Sequence, residues 1–143
     1  VLAAGGNAVD ATLAMAALTW LVLPGQCGIG GDAFAVVREP DGRVWTIGGS
    51  GFGPDGGTTP FYRDQGLSTI PLYGALGVAV PGAPAALAAL HTHGASRGLP
   101  ELWEPAARIA ETGLACSAKT AADVCEALTA IRHDPGLAAV YAP

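Results

Sequence analysis

Ser50 has the neighbours most suggestive of chemistry. It sits in Gly48-Gly49-Ser50-Gly51-Phe52. A serine nucleophile of the elbow type needs Gly-x-Ser-x-Gly on a strand-to-helix turn, which lifts the hydroxyl clear of the backbone. Here the outer positions are Gly48 and Phe52, and no helical pattern follows. The run reads better as a flexible loop or one that touches a ligand. Cys27 is the next candidate. A thiol nucleophile needs a base and a lowered pKa, yet the nearest histidine in sequence is His91. Cys27 reads as a small buried residue at a turn. His91 and His93 stand two apart, and on a helix such residues point to different sides. No Cys, Asp or Glu completes a metal-ligand set at familiar spacing, so the pair reads as a solvated helix end. We expect no metal and no cofactor.

Gly28-Ile29-Gly30-Gly31-Asp32-Ala33 formally matches the dinucleotide pattern Gly-x-Gly-x-x-Gly/Ala. That site requires the glycines to leave a strand and open a helix, whose N-terminus meets the pyrophosphate. Here a helical pattern precedes and a strand pattern follows. The glycines instead predict a tight, close-packed turn in which Gly28, Gly30 and Gly31 fill places a Cβ would block.

The elements that must position these residues follow from local pattern. Asn7 is a good helix N-cap, with Asp10 three residues on near the positive end of the helix dipole. Residues 8–23 read as a helix that is apolar all round, hence buried, and Pro24-Gly25 ends it. Ala33–Arg38 and Arg43–Ile47 are strand-like around Pro40-Asp41-Gly42, which predicts a hairpin. Residues 48–60 form a Gly- and Pro-rich loop. Pro60–Gln65 suits a short helical turn, and 76–80 is a short apolar run before Pro81-Gly82. Helices are predicted at 83–93 ending at Gly94, at 100–112 stopped by Gly113, and at 118–132 capped by Ser117 before Pro135. A helix, a hairpin and a C-terminal run of helices make an α+β pattern rather than a βαβ alternation.

Composition bounds the rest. The chain has 143 residues, a formal net charge of −5, and 50% hydrophobic but only 13% charged residues. Low hydrophobicity with high net charge would signal disorder, and this chain has the opposite balance. It has no basic run with which to bind nucleic acid. The charged share is about half the usual ~25%, which predicts that some of its surface is covered by more protein. Val1-Leu2-Ala3-Ala4-Gly5-Gly6 opens without a methionine, as a piece cut from a longer chain would. Residues 1–143 are therefore expected to be a single partial domain. The longest apolar run, 11–23, is shorter than the ~20 residues of a spanning helix, so no membrane segment is expected. Three cysteines at irregular spacing give no disulfide framework and favour a cytoplasmic over a periplasmic or secreted setting.

Several phrases in order point further. They are Gly5-Gly6-Asn7-Ala8-Val9-Asp10-Ala11, then Gly28-Ile29-Gly30-Gly31-Asp32-Ala33-Phe34, then Gly77-Val78-Ala79-Val80-Pro81-Gly82. Next come His93-Gly94 at a helix end, Glu104-Pro105-Ala106, and Ile109-Ala110-Glu111-Thr112-Gly113. This order resembles the N-terminal part of the large subunit of the γ-glutamyltransferase (γ-glutamyl transpeptidase) family. The resemblance implies part of the four-layer α/β/β/α sandwich of N-terminal nucleophile hydrolases. It also implies acyl transfer from a γ-glutamyl amide such as glutathione to water or an amine.

The family's nucleophile is a threonine freed by self-cleavage of a precursor. It begins the small subunit, beyond Pro143, so no catalytic residue is expected within residues 1–143. Thr58-Thr59 does not substitute, because such a threonine uses its own free amine as base. The implied partners are the remainder of the large subunit, the small subunit and a small amide substrate. The alternative is a non-catalytic structural or interaction module on the same scaffold.

One departure bears on substrate. After the hairpin the family carries an Arg, in a phrase like Asp-Phe-Arg-Glu-x-Ala-Pro, that grips the substrate α-carboxylate. Anchoring on Ile47 and Pro54 puts Ser50 at the Arg position, flanked by Gly49 and Gly51 as further substrate-loop residues. The resemblance is therefore closer to members lacking that Arg.

Overall fold

The computed structural model describes residues 1–142. The elements in chain order are α1 (Ala8–Val22), β1 (Ala33–Arg38), β2 (Val44–Gly49), α2 (Thr59–Asp64), α3 (Ala83–Gly94), α4 (Leu99–Thr112), α5 (Ala118–His133) and α6 (Pro135–Tyr141), with single 3-10 turns at Leu2–Ala4 and Ala75–Gly77. Two compact units are formed, one from Val1–Gly28 with the chain from Gly94 on, the other from Ile29–His93.

In the first unit α1 starts at a capping box. The Asn7 side chain accepts from the Asp10 amide (2.9 Å) and the Asp10 carboxylate accepts from the Asn7 amide (2.8 Å). Two otherwise orphaned amide donors are satisfied in this way. α1 packs on α4. Leu13 is fully buried and Leu102 nearly so. The Trp103 indole donates to the Leu13 carbonyl at 3.0 Å and meets Trp20 edge-on at 5.7 Å, a favoured aromatic geometry. Burial of α1 is one-sided among the described residues: Val9, Asp10, Leu13, Ala14 and Ala17 are buried, while Met15 is 58% exposed.

α5 begins at Ser117, whose hydroxyl accepts from the Thr120 amide (3.0 Å). α6 was not foreseen. Pro135, read as a terminator, is also the first residue of a new helix whose cap is Asp134, accepting from the Leu137 amide at 2.9 Å. Proline is well suited to that first position, where its missing N–H is not needed.

In the second unit β1 and β2 pair antiparallel, with Ala33 opposite Gly49 and Arg38 opposite Val44. Pro40-Asp41-Gly42 closes the hairpin as predicted. Gly42 takes φ 90°, the Glu39 amide donates to the Arg43 carbonyl at 2.8 Å, and the Asp41 carboxylate accepts from the Arg43 amide at 2.9 Å. Alternate residues divide the hairpin into two faces. Trp45, Ile47 and Val37 are half-buried, whereas Phe34 and Val36 on the other face are 70% and 75% exposed. α3 buries Ala83, Ala86, Leu87 and Leu90.

At Gly28 and Gly30 the turn does not show, within residues 1–142, the constraint that its sequence predicts. None of its glycines has a positive φ, and a Cβ at Gly28 or Gly30 would meet open space. Gly28→Ala and Gly30→Ala are accordingly expected to change the unfolding free energy of the complete protein by no more than about 0.5 kcal/mol, as unconstrained surface substitutions do. Thermal melts of both variants check this, and a loss above about 1 kcal/mol for either would contradict it.

Candidate substrate loop and its scaffold

The crowded glycines lie elsewhere, around Ser50. β2 ends at Gly49 and the chain passes through Ser50 and Gly51 to Phe52. A second strand of backbone, Val80-Pro81-Gly82, lies against this exit. The Val80 amide donates to the Phe52 carbonyl at 2.8 Å, and the Ala83 amide to the Gly31 carbonyl at 3.0 Å. A Cβ at Gly49 would come within 2.5 Å of the Ala86 methyl and 2.9 Å of the Ala33 and Gly82 carbonyls. At Gly51, φ is +66° and a Cβ would fall on the Val80 carbonyl oxygen. At Gly82 it would collide with the Gly49 carbonyl and lie 2.6 Å from the Gly51 nitrogen. No real side chain tolerates such approaches, so only glycine fits.

Ser50 is held between two such glycines and is itself exposed. Among the described residues its hydroxyl has no hydrogen-bond partner. The loop is thus fixed by backbone packing, and a short hydroxyl stands free at its turn. The other candidates stay apart from it. Cys27 is half-buried, Cys116 and Cys125 are exposed, and all three thiols are free. His93 packs edge-on to Trp45 at 6.1 Å. Among the described residues no cluster of His, Cys, Asp and Glu could hold a metal ion, and no helix is long and apolar enough to cross a membrane.

A second polar site is built into the first unit. Asp10 is fully buried. Besides the Asn7 amide, its carboxylate accepts from the Ser96 amide (2.9 Å), the Ser96 hydroxyl (2.5 Å) and the Arg97 amide (3.1 Å). Burial alone would raise its pKa. The donors from Ser96, Asn7 and Arg97 outweigh that and hold it at about 2, below the ordinary 3.8. Arg97 extends the network to Glu101 and to the Ala4 carbonyl. The group ties the start of α1 to the turn between α3 and α4. From the sequence, Asp10 reads only as a partner of the helix dipole. Its spacing from Asn7 was legible; nothing local announces Ser96, 86 residues away.

The sequence model of the Gamma-glutamyltranspeptidase family matches residues 1–143. The chain belongs to the γ-glutamyltranspeptidase family. It is 33% identical over 114 residues to glutathione hydrolase proenzyme 1 of Schizosaccharomyces pombe, covering 80% of this chain and 18% of that protein. Among solved structures, the γ-glutamyltranspeptidase of Helicobacter pylori superposes with a TM-score of 0.88 at 29% identity, covering 96% of this chain and 40% of that one. A cephalosporin acylase from Bacillus halodurans gives a TM-score of 0.85 at 34% identity, covering 92% of this chain and 25% of that one. The chain thus spans about a fifth of the length of the curated relatives it matches. Its helix, hairpin and helical run are the α+β part of the N-terminal nucleophile hydrolase architecture seen in the γ-glutamyltranspeptidases.

Proposed function

We infer that this chain serves in a self-processing γ-glutamyltransferase-like enzyme that hydrolyses or transfers acyl groups from small amides. The observation carrying this reading is the family match across residues 1–143. In the reaction, a threonine hydroxyl supplied by the small subunit attacks the amide carbonyl. The amine leaves with a proton, and water or a second amine then takes the acyl group from the threonine ester. Residues 1–143 supply scaffold and substrate loop to this chemistry, not the nucleophile. Their partners are the remainder of the large subunit and the small subunit, both cut from one precursor, as the proenzyme name of the yeast relative supports. The three free thiols favour a reducing, cytoplasmic setting.

Ser50, with Gly49 and Gly51, is the substrate-loop position of this reading. Arg offers a planar fork that binds carboxylate bidentately, and Ser offers one short hydroxyl. The enzyme therefore acts poorly on glutathione-type substrates and accepts other acyl amides, a reading that the acylase relative supports.

Self-processing tests the assignment as an enzyme. The complete gene product is expected to resolve into two polypeptides on a denaturing gel, the smaller with an N-terminal threonine by mass spectrometry. A single uncut polypeptide would instead favour the non-catalytic module on the same scaffold.

A further inference from the structure

We propose that Gly82 and Val80 are positioning residues for Ser50, setting how tightly the enzyme holds its acyl group while leaving the threonine chemistry untouched. This rests on the reading of Ser50 as a substrate-loop residue. The geometry is a backbone clasp. Ser50 has no side-chain partner to orient it among the described residues, so its place is set by what grips its two neighbours. Gly49 is closed in by the Ala86 methyl and the Ala33 and Gly82 carbonyls, and Gly51 by the Val80 carbonyl. One residue beyond Gly51, the Phe52 carbonyl accepts from the Val80 amide at 2.8 Å. The Val80–Gly82 segment therefore touches the loop on both sides of Ser50. A Cβ at Gly82 would collide with the Gly49 carbonyl and come within 2.6 Å of the Gly51 nitrogen. Backbone cannot yield as the far end of a side chain can, so the Ser50 loop must shift instead. Misplacing a binding group by about 1 Å is enough to cost substantial catalytic efficiency.

The test is a double-mutant cycle in the complete, processed enzyme, with a γ-glutamyl anilide as probe. Ser50→Ala is expected to raise KM about 3- to 10-fold, the loss of one hydrogen bond. Gly82→Ala is expected to raise KM by a similar factor with kcat within about twofold. In the Ser50→Ala background, Gly82→Ala should then have little further effect, because both changes remove the same contact. Should Gly82→Ala block processing, Val80→Pro replaces it in the same cycle. That change deletes the N–H bonded to Phe52, and a residue preceding a proline such as Pro81 favours the extended region that proline itself adopts. If Ser50→Ala leaves KM unchanged, the reading of Ser50 fails and the clasp proposal with it. If Ser50→Ala raises KM but the second change adds its full effect, or acts through kcat, the clasp proposal alone is overturned.

Discussion

Replacing Asp10 by alanine should cost the complete protein about 3–5 kcal/mol of stability, because several buried donors lose their acceptor at about 1–3 kcal/mol each. The carboxylate is fully buried and accepts from the Asn7, Ser96 and Arg97 amides and from the Ser96 hydroxyl. Alanine leaves all of these donors without their acceptor where water cannot easily replace it. Against a typical total of ~5–15 kcal/mol, that loss leaves a marginal fold. Acid should reveal the same contact. With the folded pKa at about 2 and the ordinary value at 3.8, the contribution is complete above the ordinary value. It is lost as pH falls through about 2, and amounts to about 2 kcal/mol. Denaturant titrations of wild type and Asp10→Ala at neutral pH, and of both on acidification, check this. A neutral-pH difference under 1 kcal/mol, or equal acid sensitivity of the two proteins, would contradict it.

What the sequence made legible was local. Asn7 and Asp10 are three residues apart, so their capping box could be anticipated from spacing. The hairpin was legible because alternation and the Pro40-Asp41-Gly42 turn agree on the same register. α6 escaped because Pro135 has two opposite meanings, ending one helix and starting the next, and only the Asp134 cap distinguishes them. The glycines show the limit most clearly. Gly28, Gly30 and Gly31 stand close together and so drew attention, yet a Cβ at Gly28 or Gly30 would meet nothing. Gly82 lies more than thirty residues from Gly49 and Gly51. Its constraint comes from backbone that approaches it only in space. The Ser96 and Arg97 donors to Asp10 are hidden in the same way. The glycines beside Ser50 mark a flexible or ligand-contact loop, and only the family pattern gives that loop a substrate role. The structure adds an exposed hydroxyl on a loop fixed by its neighbours.

The Ser50→Arg variant should gain activity on substrates with an α-carboxylate. Ser50 is exposed at the turn after β2, so a longer side chain has room to reach outward. Gly49 and Gly51 keep their backbone packing because neither is altered. A hydrogen bond to a charged group contributes ~1.5–3 kcal/mol, which corresponds to roughly 10- to 150-fold in affinity. The gain should be confined to acyl groups that carry the carboxylate. A γ-glutamyl anilide carries both the α-amino and the α-carboxylate group, whereas a butyryl anilide has the same carbon chain with neither.

The decisive measurement is kcat/KM of the complete, processed enzyme and of Ser50→Arg on these two anilides. The wild type is expected to show no strong γ-glutamyl preference. The variant is expected to gain about 10- to 150-fold on the γ-glutamyl anilide alone. A wild-type enzyme that strongly prefers the γ-glutamyl anilide, with that preference unchanged by Ser50→Arg, would contradict these expectations.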